Sequence, residues 1–102
     1  MRLLMALVLL LVVVGCTPSV RRAAYLDAHP ELPALEAQRI AEGLIWRGMT
    51  DEQLRASWGA PWRTREHANM AGTCLVLEYG PRRSPTWVFV RGGHVTGWSA
   101  GR

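Results

Sequence analysis

The chain has 102 residues, with twelve basic and eight acidic side chains and a formal net charge of +4. This length suffices for one small domain and excludes two. All the basic residues are Arg, and they are scattered along the sequence instead of forming a clustered stripe, which argues against a nucleic-acid-binding protein.

The N-terminus has the character of an export signal. One arginine precedes an apolar run over residues 3–14, and a helix of that run spans about 18 Å, well short of the ~30 Å hydrocarbon core of a bilayer. The run Val13-Val14-Gly15-Cys16 resembles the bacterial lipobox, whose cysteine takes a diacylglycerol and becomes the acylated first residue after cleavage. We therefore predict a signal peptide over residues 1–15 and lipidation at Cys16. An ordinary signal peptide and an uncleaved N-terminal anchor are the alternatives.

The residues after Cys16 predict where the mature protein resides. Two or more acyl chains give stable membrane attachment, whereas one gives only about 10⁴ M⁻¹. Thr17 stands where an Asp would retain a lipoprotein in the inner membrane, so we expect anchoring to a bacterial outer membrane, facing the periplasm. Residues 16–20 would form a short tether. Arg21 and Arg22 then either lie against anionic headgroups or form a solvated helix face.

Three helices are predicted in the first sixty residues. The first runs from Val20 to Ala28 and ends before a proline, because the residue that precedes proline disfavours helical geometry. The second covers Glu31 to Glu42, and the third covers Asp51 to Trp58.

The third helix carries the strongest local signals. Thr50 and Gln53 have the spacing of a capping box, and Met49 and Leu54 have the spacing of a hydrophobic staple. Gly59-Ala60-Pro61 places a glycine just past the helix and a proline beyond it, which is typical of a helix end.

The remaining sequence predicts strands. These are Cys74 to Tyr79, Thr86 to Arg91 and His94 to Trp98, and Gly92-Gly93 is a hairpin signal between the last two. Residues 62–67 alternate weakly and are either an edge strand or irregular. The order predicts an α+β domain with two layers, in which N-terminal helices pack on a three-stranded antiparallel sheet.

A motif in the mature chain points to a family. The string Gly48-Met49-Thr50-Asp51-Glu52-Gln53-Leu54, followed by Trp58-Gly59-Ala60-Pro61, resembles the SmpA/OmlA lipoprotein domain, the family of the small E subunit of the outer-membrane barrel-assembly machinery. The match covers about residues 45–98 of a single domain over 21–102. It leaves residues 20–42 and the loop 80–85 unaligned.

The resemblance implies both a fold and a function. Family members have an ααβββ arrangement, with two helices on one face of a three-stranded sheet. We expect a lipid-anchored periplasmic module that binds an envelope protein, such as the barrel-assembly machinery, and assists outer-membrane protein assembly or envelope integrity. The alternative is an accessory or inhibitor-like lipoprotein for another envelope protein. Because function by fold analogy is associational, partner identity stays open.

Two sets of residues are candidates for the site. The motif residues are expected to have mainly structural roles: Gly48, Met49, Thr50, Gln53, Gly59 and Pro61. Exposed tryptophan beside arginine has the composition of an interface, which indicates four residues for partner contact: Trp46, Trp62, Arg63 and Trp98. Partly buried packing residues are the alternative for the tryptophans. Trp87 and Phe89 share one sheet face, and Trp58 is expected to pack on that face in the core.

Signals for catalysis or metal binding are weak. The histidines His29, His67 and His94 are far apart in sequence, and no Cys/His/carboxylate cluster has metal-ligand spacing. We predict no catalytic residue, metal site, cofactor, small-molecule substrate or nucleic-acid partner, and therefore no enzyme. Cys74 lies in an apolar run and is predicted to be a buried, inert thiol. The alternatives are a reactive thiol or, if Cys16 is not acylated, a Cys16–Cys74 disulfide.

Overall fold

The computed structural model describes residues 17–70 and 72–100. Its helices are α1 (Pro18–Ala28), α2 (Ala34–Ala41) and α3 (Asp51–Trp58), and its strands are β1 (Arg63–Asn69), β2 (Gly72–Tyr79), β3 (Thr86–Arg91) and β4 (His94–Ala100). These helices all precede these strands, and the predicted α+β class is confirmed. The predicted signal peptide and the lipidation site Cys16 lie outside the described residues.

Helix α1 begins closer to Cys16 than the sequence predicts. Pro18 occupies the first helical position, where its missing N–H costs nothing. Thr17 is the N-cap, and its hydroxyl accepts a hydrogen bond from the backbone N–H of Val20 at 3.4 Å. Residues 18–20 are therefore helical and do not form part of a tether. Thr17 alone separates Cys16 from α1.

Helix α2 is shorter than predicted. It begins at Ala34 instead of Glu31, because Pro33 at its N-cap has a ψ of 143° and is extended. No side chain caps this end of the helix. Ile40 in its last turn is fully buried.

Helix α3 has the predicted bounds and the predicted capping box. The Thr50 hydroxyl accepts from the Gln53 backbone N–H at 3.0 Å, and the Gln53 side-chain oxygen accepts from the Thr50 N–H at 2.9 Å. Met49 and Leu54, the predicted staple pair, are both fully buried in the main core cluster. Gly59 ends the helix with a φ of +85°.

The sheet has four antiparallel strands in the order β1-β2-β3-β4, so the prediction of three strands is wrong in this detail. The additional strand is β1, which pairs along its whole length with β2, from Arg63 opposite Glu78 to Asn69 opposite Gly72. Every residue of β1 is exposed. A strand without a buried face has no alternation of apolar and polar residues, which is why its sequence gives so weak a signal.

The core lies between the helices and one face of the sheet. Its buried apolar side chains are Met49, Leu54, Leu77, Tyr79, Val88, Val90 and Val95, with Trp58 among the half-buried residues packed on it. Since successive side chains of a strand point to opposite faces, Trp87 and Phe89 lie on the other face, away from Val88 and Val90. The prediction that Trp58 packs on the Trp87/Phe89 face is therefore wrong.

Two arginines of α1 hold the C-terminal end of α3. The Arg21 guanidinium donates to the carbonyl oxygens of Ala56 and Ser57, each at 3.1 Å, and Arg22 donates to that of Ser57 at 2.8 Å. These carbonyls belong to the last turn of α3. Carbonyl groups in the last turn of a helix have no hydrogen-bond partner within the helix and carry partial negative charge. Both arginines are thus half-buried and bonded to the protein, so the interpretation as a solvated helix face does not describe them, and headgroup contact stays a prediction.

None of the three described helices is both long and apolar enough to cross a bilayer.

Replacement of Arg21 by methionine should destabilise the domain. Arg21→Met keeps most of the aliphatic stem but removes two charge-assisted hydrogen bonds to α3, so we expect the free energy of unfolding to fall by about 1–3 kcal/mol. Urea denaturation of the full chain measures this. Arg47→Met is the matched control, because Arg47 is exposed. Equal urea midpoints for both variants would contradict the role assigned to Arg21.

Candidate interaction surface

The segment that carries the family resemblance joins the helices to the β3–β4 hairpin. The Gly48 N–H donates to the Val95 carbonyl at 2.7 Å, and the Val95 N–H donates to the Met49 carbonyl at 2.8 Å. The Asp51 N–H donates to the Gly93 carbonyl at 2.9 Å. Gly48 has a φ of +94°, which a residue with a side chain rarely adopts. These backbone contacts fix the start of α3 against the edge of the sheet.

A second contact fixes the end of α3. The Tyr79 hydroxyl donates to the Gly59 carbonyl at 2.9 Å, and the Tyr79 ring meets the Trp58 ring edge-on at 5.4 Å. Burial, the largest cause, raises the pKa of Tyr79 to about 12. Pro61, half-buried, leads from this junction into β1. The described motif residues therefore contact their own domain.

The four residues predicted for partner contact lie at three places in the structure. Trp46 packs against the core, with the Arg39 guanidinium 5.7 Å from its ring centre. Trp62 and Arg63 are neighbours at the exposed start of β1, where Arg82 lies 5.2 Å from the Trp62 ring.

Trp98 is exposed but lies far from Trp62 and Arg63. It stands on β4 opposite Val88, and so on the helix side of the sheet. Strands β1 and β4 are the two edges of the sheet, about 14 Å apart at roughly 4.8 Å per strand spacing. The sheet therefore separates Trp98 from Arg63 by three strand spacings, and a role of these residues in partner contact stays a prediction.

The sheet has a second face that none of the three described helices packs against. Helices α1 and α2 pack on each other and on α3, which packs with the opposite face. We call the second surface the helix-free face. It consists of the outward residues of the four strands: Arg63, Arg65, His67, Cys74, Val76, Glu78, Trp87, Phe89, Arg91, His94, Gly97 and Ser99.

Apolar side chains occupy the middle of the helix-free face. Val76 and Phe89 are paired across β2 and β3, and Trp87 is paired with Glu78. All three apolar side chains are half-buried. A half-buried aromatic pair outside the core is a feature that a binding surface would use.

One position beside Phe89 has no side chain, and we call the open space there the recess. The register shifts between Phe89 and Val90, so that Gly97 of β4 stands opposite Phe89. A Cβ atom placed on Gly97 would meet no atom within 4 Å, and Gly97 does not have a positive φ. The recess therefore exists because a side chain is missing where the backbone would accept one.

The charges are divided unequally between the helical segment and the sheet segment of the chain. Residues 17–58 carry five arginines and six carboxylates, a net charge of −1, whereas residues 59–100 carry five arginines and two carboxylates, a net charge of +3. On the helix-free face the one carboxylate is Glu78, which is 4% exposed and accepts from Arg65 at 3.0 Å. Arg63 and Arg91 on the same face make no ion pair within the described residues.

One end of the helix-free face carries Cys74 between His67 and Arg91. Cys74 is half-buried, so the predicted burial is only partial, and the inertness of the thiol stays a prediction. Among residues 17–70 and 72–100, no three His, Cys, Asp or Glu side chains lie close enough to hold a metal ion together. His29, in contrast, lies in the helical layer, 3.4 Å from Glu52.

Sequence reasoning missed the helix-free face because it assigned Trp87 and Phe89 to the core. Each alternating set of β3 contains two large apolar side chains, so period-2 patterning within this strand gives only a weak preference for which set faces the helices. The available signal is in the neighbouring strand. One alternating set of β2 ends in the large side chains Leu75, Leu77 and Tyr79, whereas the other set includes Glu78.

Comparison of the chain with protein-family models, with curated proteins and with solved structures finds no match. The SmpA/OmlA resemblance therefore depends on the motif residues alone, and the function must be inferred from those residues and from the surface described above.

The stability of the domain should fall at high pH because of Tyr79. Its pKa is about 12 in the folded chain, against 10.0 as the ordinary value. Below pH 10 both states are protonated and the Tyr79–Gly59 hydrogen bond contributes fully. Between about pH 10 and 12 the unfolded chain loses the proton first, so the free energy of unfolding falls, by at most about 3 kcal/mol.

The pH dependence is measured by urea denaturation at pH 8 to 12. Tyr79→Phe should show a much smaller decrease over this window, since it has no hydroxyl to ionise. Tyr25→Phe is the control: burial also raises the pKa of Tyr25, but Tyr25 does not bond to Gly59, and this variant should keep most of the decrease. A Tyr79→Phe profile as steep as that of the wild type would contradict the assignment.

Proposed function

We propose that this chain is a lipid-anchored periplasmic module that acts by binding an envelope protein and assists outer-membrane protein assembly or envelope integrity. The helix-free face is the observation that carries the binding function. It combines half-buried aromatic side chains, the open space at Gly97 and two arginines that form no ion pair with a described residue. The proposal gives no residue a catalytic role and requires no metal, cofactor or nucleic acid.

The position of α1 supports the anchoring part of the proposal. If Cys16 carries the lipid, one residue links it to a helix that is fixed to α3 by Arg21 and Arg22. The domain would then be held close to the membrane surface without a flexible linker. A partner would therefore have to lie within a short distance of the bilayer to bind this domain.

The motif supports the assembly machinery as the first partner to test. In the family arrangement, strands β2 to β4 would be the three-stranded sheet, and α3 with one further helix would be the helical layer. Strand β1 and one helix would be additions to the ααβββ unit. The segment over residues 45–98 that carries the resemblance includes the contacts of Gly48 and Gly59 described above.

The same additions favour the second candidate, an accessory or inhibitor-like lipoprotein for another envelope protein. Strand β1 contributes Arg63 and Arg65 to the helix-free face, and the resemblance implies no such strand. Purification of a C-terminally tagged full-length protein from gently solubilised membranes, with mass spectrometry of bait and prey, separates the two. Barrel-assembly subunits support the first candidate, and a different stable partner supports the second. Absence of any stable partner would contradict both.

Cys16→Ser should abolish lipidation. A serine has no thiol to take the diacylglycerol, so we expect an unprocessed or unacylated precursor, visible in the intact mass and in membrane fractionation. Cys74→Ser is the matched control, since it changes the second cysteine of the chain and should leave acylation unchanged. A Cys16→Ser protein with the processed mass and the membrane location of the wild type would refute the lipoprotein assignment.

A further inference from the structure

We propose that the occupant of the helix-free face is an acidic protein segment that inserts one bulky apolar side chain beside Phe89. This inference rests on the proposed binding function and specifies the chemistry of the partner. Three properties of the face carry it: its charge, its recess and the depth of its aromatic side chains.

The charge of the face selects an acidic partner. Glu78 is almost fully buried and is neutralised by Arg65 at 3.0 Å, so it does not repel a carboxylate that approaches from outside. Arg63 and Arg91 remain on the face without an ion pair to a described residue. Guanidinium groups bind carboxylates in a bidentate geometry, and their weak hydration suits them to ion pairs at an interface.

The spacing of these arginines sets the length of the segment. Arg63 on β1 and Arg91 on β3 are two strands apart, and the register places Arg91 four residue positions further along the sheet. At roughly 4.8 Å per strand and 3.3 Å per residue, they are about 16 Å apart. An extended segment of about five residues covers that distance.

The recess supplies the specificity. Gly97 leaves open space next to Phe89, and Val76 lies on the other side of the same ring. A phenylalanine or leucine of the partner would occupy this space and contact the Phe89 ring. Burial of such a side chain is worth about 1.5–3 kcal/mol.

The same features disfavour two other occupants. A second copy of this face would bring Arg63 and Arg91 against their own equivalents, and like charges in an interface are costly. A membrane is disfavoured because Trp87 and Phe89 are half-buried and do not project. The large apolar side chains that do project include Leu35, Leu44 and Trp98, which lie on the helix side.

The test measures binding of a defined probe to the full-length acylated protein in phosphatidylcholine nanodiscs. The probe is a fluorescein-labelled dodecapeptide of alternating aspartate and serine with one central phenylalanine, and fluorescence anisotropy gives its Kd. Two further peptides are controls: one with lysine in place of aspartate, and one with serine in place of phenylalanine. We expect the acidic phenylalanine peptide to bind at least tenfold more tightly than either.

Two variants locate the site on the protein. Gly97→Val fills the recess and should weaken binding at least tenfold, although its Tm should stay the same or rise because the new side chain meets open space in a strand. Arg91→Glu should weaken binding by a similar factor. Arg47→Glu makes the same charge change at an exposed position in the helical half and should alter the Kd less than twofold.

Several results would overturn the proposal. Equal binding by Gly97→Val and wild type would place the peptide elsewhere, and equal affinity for the three peptides would exclude the stated chemistry. Binding to phosphatidylglycerol vesicles that Arg91→Glu abolishes, with no peptide binding, would make the occupant a membrane. A dimer that Gly97→Val dissociates would make it a second copy. Because the purified chain is used, failure here leaves the co-purification and acylation results, which test the proposed function, unaffected.

Discussion

The fold depends on how both ends of a short helix, α3, are satisfied. Eight residues are too few for a helix to be stable alone, and its terminal N–H and C=O groups need partners from elsewhere. The capping box of Thr50 and Gln53 provides hydrogen-bond partners at the N-terminal end, and Arg21 and Arg22 provide them at the C-terminal end. The arginines come from a helix more than thirty residues away in sequence, so this contact also places α1.

Further contacts of α3 place the rest of the helical layer. The Gln53 amide donates to Glu36 of α2 at 3.0 Å, and the Ser57 hydroxyl donates to the carbonyl of Leu44 at 2.7 Å. Gln53 and Ser57 are buried, and a buried polar group without a partner is costly. Each of these bonds therefore restricts α2 and the segment after it to the side of the sheet on which α3 lies.

One-sided packing explains the surface that we propose for binding. When the helices gather on one face of a four-stranded sheet, the apolar residues of the other face have no element of their own chain to pack against in the described part of the structure. Trp87 and Phe89 are then only half-buried. Arginines of β1 and β3 surround them, whereas most of the carboxylates lie in the helical half. The packing of the described helices on one face of the sheet therefore forms the core and also leaves a basic, apolar surface on the other face.

The sequence by itself determined the features that depend on interactions between residues close together in the chain. The bounds of α3, its capping box, the glycine end at Gly59 and three of the four strands follow from residues within one turn or one hairpin of each other. Only the tertiary structure decided the pairing of β1, the partners of Arg21 and Arg22, and the face on which Trp87 and Phe89 lie. Each of these depends on contacts between residues distant in the sequence. A strand with large apolar side chains on both faces gives only a weak local preference for either, so the packing of α3 against Val88 and Val90 made the choice.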